Sequence, residues 1–362
     1  MLGIILTLVA ALFIAGMALL AHFARRNRGA EVTLFITLLA TSLLTLVVGV
    51  FIGIGLFFLA PQSGPIPQQA ILTATGIAAV LAGTIGTGLC VPPIIRIFRG
   101  PKTTTPRESQ TSEEASWETS PGASSAPETR SFWVDPPTVF ALWLFTLVLM
   151  NNVASILAFA IAPDVTTDAI AQAGQFSVGT VVGSQVPFVI VAVAGVGLFV
   201  ARDFRGALSR LGYGAISAKQ LGIVVLFIVG ALGCAIGADR TFAALQPDLY
   251  RTVGDLSEAL FSPQGMSPVT AVFFALLIGI GAGLGEETLF RGAVQPKLGI
   301  VLTSVLFASM HVQYGPSLLL FFIFLLSMAL GYLRRRVNTT ASFLAHAGYN
   351  TSSVLLAYFF GI

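Results

Sequence analysis

The stretch Gly279–Arg291, GIGAGLGEETLFR, begins as an apolar membrane helix and ends on Glu286, Glu287 and Arg291. Ionisable groups beside an apolar span are costly unless they are paired or take part in chemistry. Two of the three histidines, His311 and His346, follow in similar apolar spans. The sequence therefore reads as a bundle of membrane helices that positions one intramembrane polar site and shields it from lipid.

Composition agrees. Of the 362 residues, 55% are hydrophobic and 10% charged, and the mean hydropathy is +0.88. A soluble domain carries about 25% charged residues, so the fold class is all-α, a polytopic transmembrane bundle. Cys90 and Cys234 each stand alone in an apolar span, which gives neither a disulfide framework nor a metal spacing. The first apolar run, Met1 to His22, has no preceding Lys or Arg and is followed by Arg25, Arg26 and Arg28. That order is the reverse of a secretory leader and predicts an uncleaved first helix with its N-terminus outside.

Spans of about 20 apolar residues fall near 2–23, 32–60, 70–95, 138–162, 183–201, 220–241, 269–290, 299–312, 317–333 and 340–360, about ten in all. Alternating them from an outside N-terminus leaves only Arg240 and Arg251 of the 19 basic residues on the outer side. This is the asymmetry of the positive-inside rule. It predicts an integral membrane protein of the cell (plasma) membrane, with both termini outside and the site opening toward the cytoplasm.

Residues 100–136 are dominated by Pro, Ser, Thr and Glu without period. They read as a disordered cytoplasmic linker, a passive tether between N-terminal membrane helices at 1–99 and C-terminal ones at 137–362. Residues 202–218 carry three arginines among apolar residues, which suits either a short helix on the cytoplasmic face or an ordinary basic loop. The outer loops 163–182 and 242–268 hold acidic residues without a metal spacing. Gly281 and Gly285, four apart, allow a neighbouring helix to approach closely beside Glu286. His22 reads as an interfacial residue, and Asn151 and Asn152 as helix–helix hydrogen-bond partners.

Glu287 and Arg291 are four apart and share a helical face, with Glu on the favoured N-terminal side. Glu286 is rotated about 100° away and has no such partner. An unpaired carboxylate in an apolar setting has the raised proton affinity that a general base needs. The structural alternative is that both glutamates reach the interface and are solvated. If the chain turns near Leu298–Gly299, His311 returns to the depth of Glu286. His346 rises to a nearby depth ten residues past Arg336, and Asn350 shares its face. There is no GxSxG elbow and no HExxH helix. Glu and His acting on water remain, with His346 and Asn350 as oxyanion donors. The other arrangement is Zn2+ held by Glu286, His311 and His346.

EETLFR (Glu286 to Arg291) fits EExxxR, FASMH (Phe307 to His311) fits FxxxH, and HAGYN (His346 to Asn350) fits HxxxN. In that order they resemble the three motifs of the type II CAAX prenyl endopeptidase family, also called CPBP or Abi intramembrane proteases. The resemblance covers about 269–360. It implies peptide-bond hydrolysis within the membrane. Glu286 and His311 would activate water, and His346 and Asn350 would bind the oxyanion. Glu287 and Arg291 complete the candidate site, chiefly as a structural pair. The family is usually labelled metalloprotease, although a metal-free glutamate mechanism has also been argued for it.

The expected partners are the lipid bilayer and a peptide or membrane-protein substrate entering from it, with no nucleic acid. A non-catalytic scaffold or bacteriocin-immunity factor using the motifs structurally is the second reading. A transporter using the cluster as a proton relay is the third, weakened by the lack of a two-half repeat.

Overall fold

The computed structural model describes residues 2–59, 66–99, 134–172 and 177–361. Residues 100–133 of the expected linker lie outside them. The protein is a helical membrane bundle. In chain order the helices are α1 (Leu2–Phe23), α2 (Arg28–Leu59), α3 (Ile66–Arg99), α4 (Pro136–Ile161), α5 (Pro163–Gln172), α6 (Val178–Gly195), α7 (Phe204–Leu211), α8 (Ala218–Leu245), α9 (Pro247–Phe261), α10 (Pro268–Glu286), α11 (Gln295–Ser309), α12 (Leu318–Arg336) and α13 (Thr339–Phe360).

A long helix stands at each of the ten apolar segments. By length and apolarity, eight candidate spans are found among the described residues. One of them runs 42 residues, Pro268–Ser309, through α10 and α11. α13, which carries His346 and Asn350 together with several hydroxyl residues, is not in that set.

Local chemistry fixes the helix starts. Ser177 and Ser217 open α6 and α8 with reciprocal capping boxes, and Ser267, Ser317 and Asn338 accept a backbone N–H at the starts of α10, α12 and α13. Each satisfies a donor that would otherwise be orphaned. The turn expected at Leu298–Gly299 is present. Gly299 has φ +77° and ψ 175°, which breaks helical geometry inside α11 in a conformation that glycine adopts without steric cost.

Two sequence expectations are corrected. The outer loops hold helices, α5 and α9, because their apolar residues recur at helical spacing. Val253, Leu256 and Leu260 of α9 pack with Phe159 and Phe242. The fifth span ends at Gly195 rather than 201, where a tight loop takes over. His22 is buried, with Nε2 2.9 Å from the Gly195 carbonyl at the end of α6. Residues 202–218 do contain a short helix, α7. Asp203 caps it, and Gly212 ends it in the left-handed conformation, at φ +80°.

The N-terminal helices are bound to the rest of the chain. α1 packs on α6, and α3 on α4. Trp143 Nε1 donates to Ser42 Oγ at 2.8 Å. Asp135, just before α4, receives Arg25 at 2.7 and 2.9 Å, lies 3.6 Å from Lys297 Nζ, and accepts the Thr138 hydroxyl at 2.6 Å. Burial pushes the Asp135 carboxyl up. The hydrogen bonds from Arg25 and Thr138 and the charges of Arg25 and Lys297 outweigh burial and bring it down from 3.8 to about 2. A carboxyl depressed on folding contributes stability that is complete above its unfolded value and lost as pH falls through the folded one. Thermal stability in detergent is therefore expected to fall between about pH 4 and pH 2. Asp135→Asn, followed by the melting temperature across that range, should be less stable at neutral pH and show a smaller acid decline.

Candidate active site

α10 lies between two neighbours. Its Gly281–Gly285 face receives α6: a Cβ on Gly281 would come 2.7 Å from Val181 Cγ1, and one on Gly285 would collide with Gln185. Its Gly279–Gly283 face receives α13 against Ala347 and Thr351. Glycine lets helix backbones approach this closely in a membrane. The approach to α6 follows from the sequence pair, whereas the approach to α13 comes from a second pair the sequence reading did not single out.

Glu286 is the last residue of α10. From Glu287 to Val294 the chain is π-helical. The sequence alone predicts a regular α-helix for these residues. The wider i→i+5 turn still keeps residues four apart nearly one turn from each other. The Glu287–Arg291 pair accordingly forms, with Arg291 Nε 3.2 Å from Glu287 Oε2. Both side chains are fully buried. The wider turn also reduces the rotation between consecutive residues, so Glu286 and Glu287 both face α13. His346 Nδ1 is 2.9 Å from Glu287 Oε1, and His346 Nε2 is 4.0 Å from Glu286 Oε2.

Glu287 thus bridges Arg291 and His346, a contact that residue spacing did not reveal. Arg291 Nη2 also donates to the buried Ser327 hydroxyl at 3.3 Å. Its guanidinium carbon lies 4.8 Å from the centre of the Phe307 ring. Phe307 lies against both histidines, with ring centroids 4.9 Å from His311 and 5.9 Å from His346. The sequence pattern contained this aromatic residue, but not its place as the common wall of the site.

The two imidazoles are held alike. His311 Nδ1 lies 2.9 Å from the Phe307 carbonyl, which can only accept, so Nδ1 donates. His346 Nδ1 donates to Glu287 in the same way. Each Nε2 is left for chemistry, as an acceptor on a neutral ring or a donor on a protonated one. Glu286 Oε2 is buried and has no hydrogen-bond partner among the described residues. Its 4.0 Å separation from His346 Nε2 suits a bridging water. Asn350 is on α13 one turn beyond His346 and half-buried, with no side-chain hydrogen bond among the described residues.

The side chains offer the right donors for zinc, two Nε2 atoms and a carboxylate. Among the described residues no three His, Cys, Asp or Glu side chains are gathered as metal ligands. Glu286, His311 and His346 are the side chains that would hold such an ion, and the chemistry below uses the protein's own groups.

A polar strap lies behind the glutamates. Thr288 Oγ1 donates to the Leu284 carbonyl at 2.5 Å and accepts from Tyr213 Oη at 2.6 Å. Burial, and more weakly the charge of Glu287, push the Tyr213 hydroxyl up against the opposing hydrogen bond with Thr288, so it stays a donor. Asn152 Nδ2 donates to Ser309 Oγ at 3.1 Å and joins α4 to α11 as expected. Asn151 is exposed and reaches only its neighbour Asn152, at 3.5 Å, so its expected interhelical role is corrected.

Residues 268–352 match the family model described as type II CAAX prenyl endopeptidase Rce1-like. An uncharacterized protein of Bacillus subtilis (strain 168), YpbD, is 29% identical over 133 residues, which is 37% of this chain and 64% of that protein. The match thus spans just under two thirds of that relative's length. No solved structure matches the chain.

Proposed function

We propose that the protein cleaves peptide bonds with water activated by Glu286, a reading supported by the match of residues 268–352 to the Rce1-like type II CAAX prenyl endopeptidase family in a helical membrane protein. The observation that carries this reading is the buried Glu286 Oε2. It lacks a partner and faces a histidine whose other nitrogen is held by Glu287.

Glu286 takes a proton from the water as its oxygen attacks the peptide carbonyl carbon. The carbonyl oxygen becomes an oxyanion that accepts hydrogen bonds from protonated His346 Nε2 and from Asn350. Collapse of the intermediate breaks the C–N bond, and Glu286 returns its proton to the leaving amine. Preorganised donors of this kind contribute about 3–4 kcal/mol each to the rate. His311, fixed through Phe307, orients the water. Glu287 and Arg291 set the tautomer and position of His346. The substrate is a peptide or membrane protein whose apolar or lipidated segment enters from the bilayer, and the site opens toward the cytoplasm of the plasma membrane.

The test is cleavage of a lipid-modified and an unmodified peptide library by the purified full chain in nanodiscs, with metal content measured on the same preparation. Cleavage that survives chelation, with no stoichiometric metal, is expected. About one zinc per chain, lost in His311→Ala, would replace this mechanism with a metal-bound water. Failure to cleave any member of the library in either state would favour the scaffold reading.

A further inference from the structure

Between α6 and α8 the chain leaves and re-enters the bilayer by way of α7, and its loop displays a strained aromatic residue. Phe199 has φ +62° and is the non-glycine residue with positive φ among the described residues. A bulky side chain in that region is an energetic outlier that surrounding structure has to impose. Here the imposing contacts are hydrogen bonds to backbone carbonyls. Phe199 N donates to the Arg202 carbonyl at 2.7 Å, and Arg202 Nη1 donates to the Val196 carbonyl at 2.5 Å. The ring gains little burial from the chain in return, being 83% exposed. One turn apart on α7, Phe204 and Leu208 are also exposed, at 61% and 37%. Ala207 and Leu211 adjoin them on the same apolar side of the helix and are buried.

The buried face reaches the candidate site. Leu211 packs on Gly292 of the π-helical stretch, and Arg210 Nη1 donates to the Gly292 carbonyl at 3.1 Å. Tyr213 donates to Thr288, next to Glu287. The same segment holds the start of α13, because Thr339 Oγ1 donates to the Leu211 carbonyl and Thr339 N to that of Gly212. One short element therefore touches both chain segments that carry Glu287 and His346.

We propose that the 197–213 segment is a bilayer anchor. It inserts Phe199, Phe204 and Leu208 into the interface of a membrane rich in anionic phospholipid and thereby positions the π-helical stretch that bears Glu287. The partner follows from three features. The segment joins two membrane spans at the water boundary. It exposes three large apolar side chains, Phe199, Phe204 and Leu208. Arg205 is exposed on the same helix, where phospholipid phosphates would lie. Tyr213 and Arg210 are positioning residues in this arrangement, since they act through Thr288 and the Gly292 carbonyl.

Two readouts test it without any substrate, so they remain decisive if the proteolysis reading fails. The first attaches an environment-sensitive fluorophore through Phe199→Cys in a chain with the exposed Cys234 changed to Ser, while Cys90 stays buried. In vesicles containing phosphatidylglycerol the emission should shift to the blue and be quenched by lipids with nitroxide-labelled acyl chains. Water-like, unquenched emission overturns the anchor. The second is hydrogen exchange at the amides of 287–294 in nanodiscs. Phe199→Gly and Tyr213→Phe should each speed exchange at least ten-fold. Glycine relieves the backbone strain at 199, so a loop with only a structural role would leave protection unchanged or raise it. Unchanged protection in both variants overturns the positioning link.

Discussion

Glu286→Gln is expected to lower the cleavage rate by about 10²–10⁴-fold, the share a positioned general base contributes, while protein yield and melting temperature stay near wild type. The second half follows from the geometry. Glu286 Oε2 is buried without a hydrogen-bond partner and approaches His346 Nε2 only to 4.0 Å. Glutamine keeps the shape and removes the charge and the basic oxygen. Single-turnover cleavage with circular dichroism melting on the same samples measures both quantities. A rate within a few-fold of wild type would remove Glu286 as the base and return the cluster to a structural role.

The second large effect is on folding. Arg291 and Glu287 are fully buried. Arg291→Ala leaves the buried Glu287, beside Glu286, without its guanidinium and with His346 as its remaining partner. Removing one member of a buried ion pair costs about 3–5 kcal/mol, and replacing both with apolar residues of similar volume is often near neutral. Arg291→Ala should therefore reduce folded protein sharply, whereas Glu287→Leu with Arg291→Met should recover much of it. The double variant should still be inactive, because the His346 Nδ1 proton loses its acceptor and the ring its orientation. Fluorescence-detected size-exclusion gives the folded fraction, and cleavage by that fraction gives the activity. A double variant that is folded and fully active would show that Glu287 does not set His346.

The fold was legible where a single local rule decided it. A break in apolarity located the ten helical segments, and Gly299 marked the turn because its backbone conformation suits glycine. Asn152 was found because a buried amide in lipid needs a partner. The same rule misassigned Asn151, since sequence does not tell which face of α4 meets lipid. The Glu287–Arg291 pair survived an incorrect helix type because residues four apart stay close in both geometries. The π-helix itself was hidden, because it is a choice of hydrogen-bond register forced by packing against α6, α7 and α13. With it was hidden the contact between Glu287 and His346, which depends on the angle between consecutive side chains. The strap through Tyr213 and Thr288 joins residues 75 apart and carries no periodic signal.

The ion cluster at Asp135 bears on how the two parts of the chain stay together. Arg25 follows the end of α1, Asp135 precedes the start of α4, and Lys297 lies on α11. His22 on α1 is bonded to the end of α6, and Trp143 on α4 to Ser42 on α2. These contacts hold the N-terminal helices against the remainder. The two parts are therefore expected to co-purify after the chain is cut at an engineered protease site between residues 99 and 134, and their separation would show that these contacts alone do not suffice. The chain can be regarded as two associating subunits that one polypeptide happens to encode, and a nick between them would leave the bundle whole.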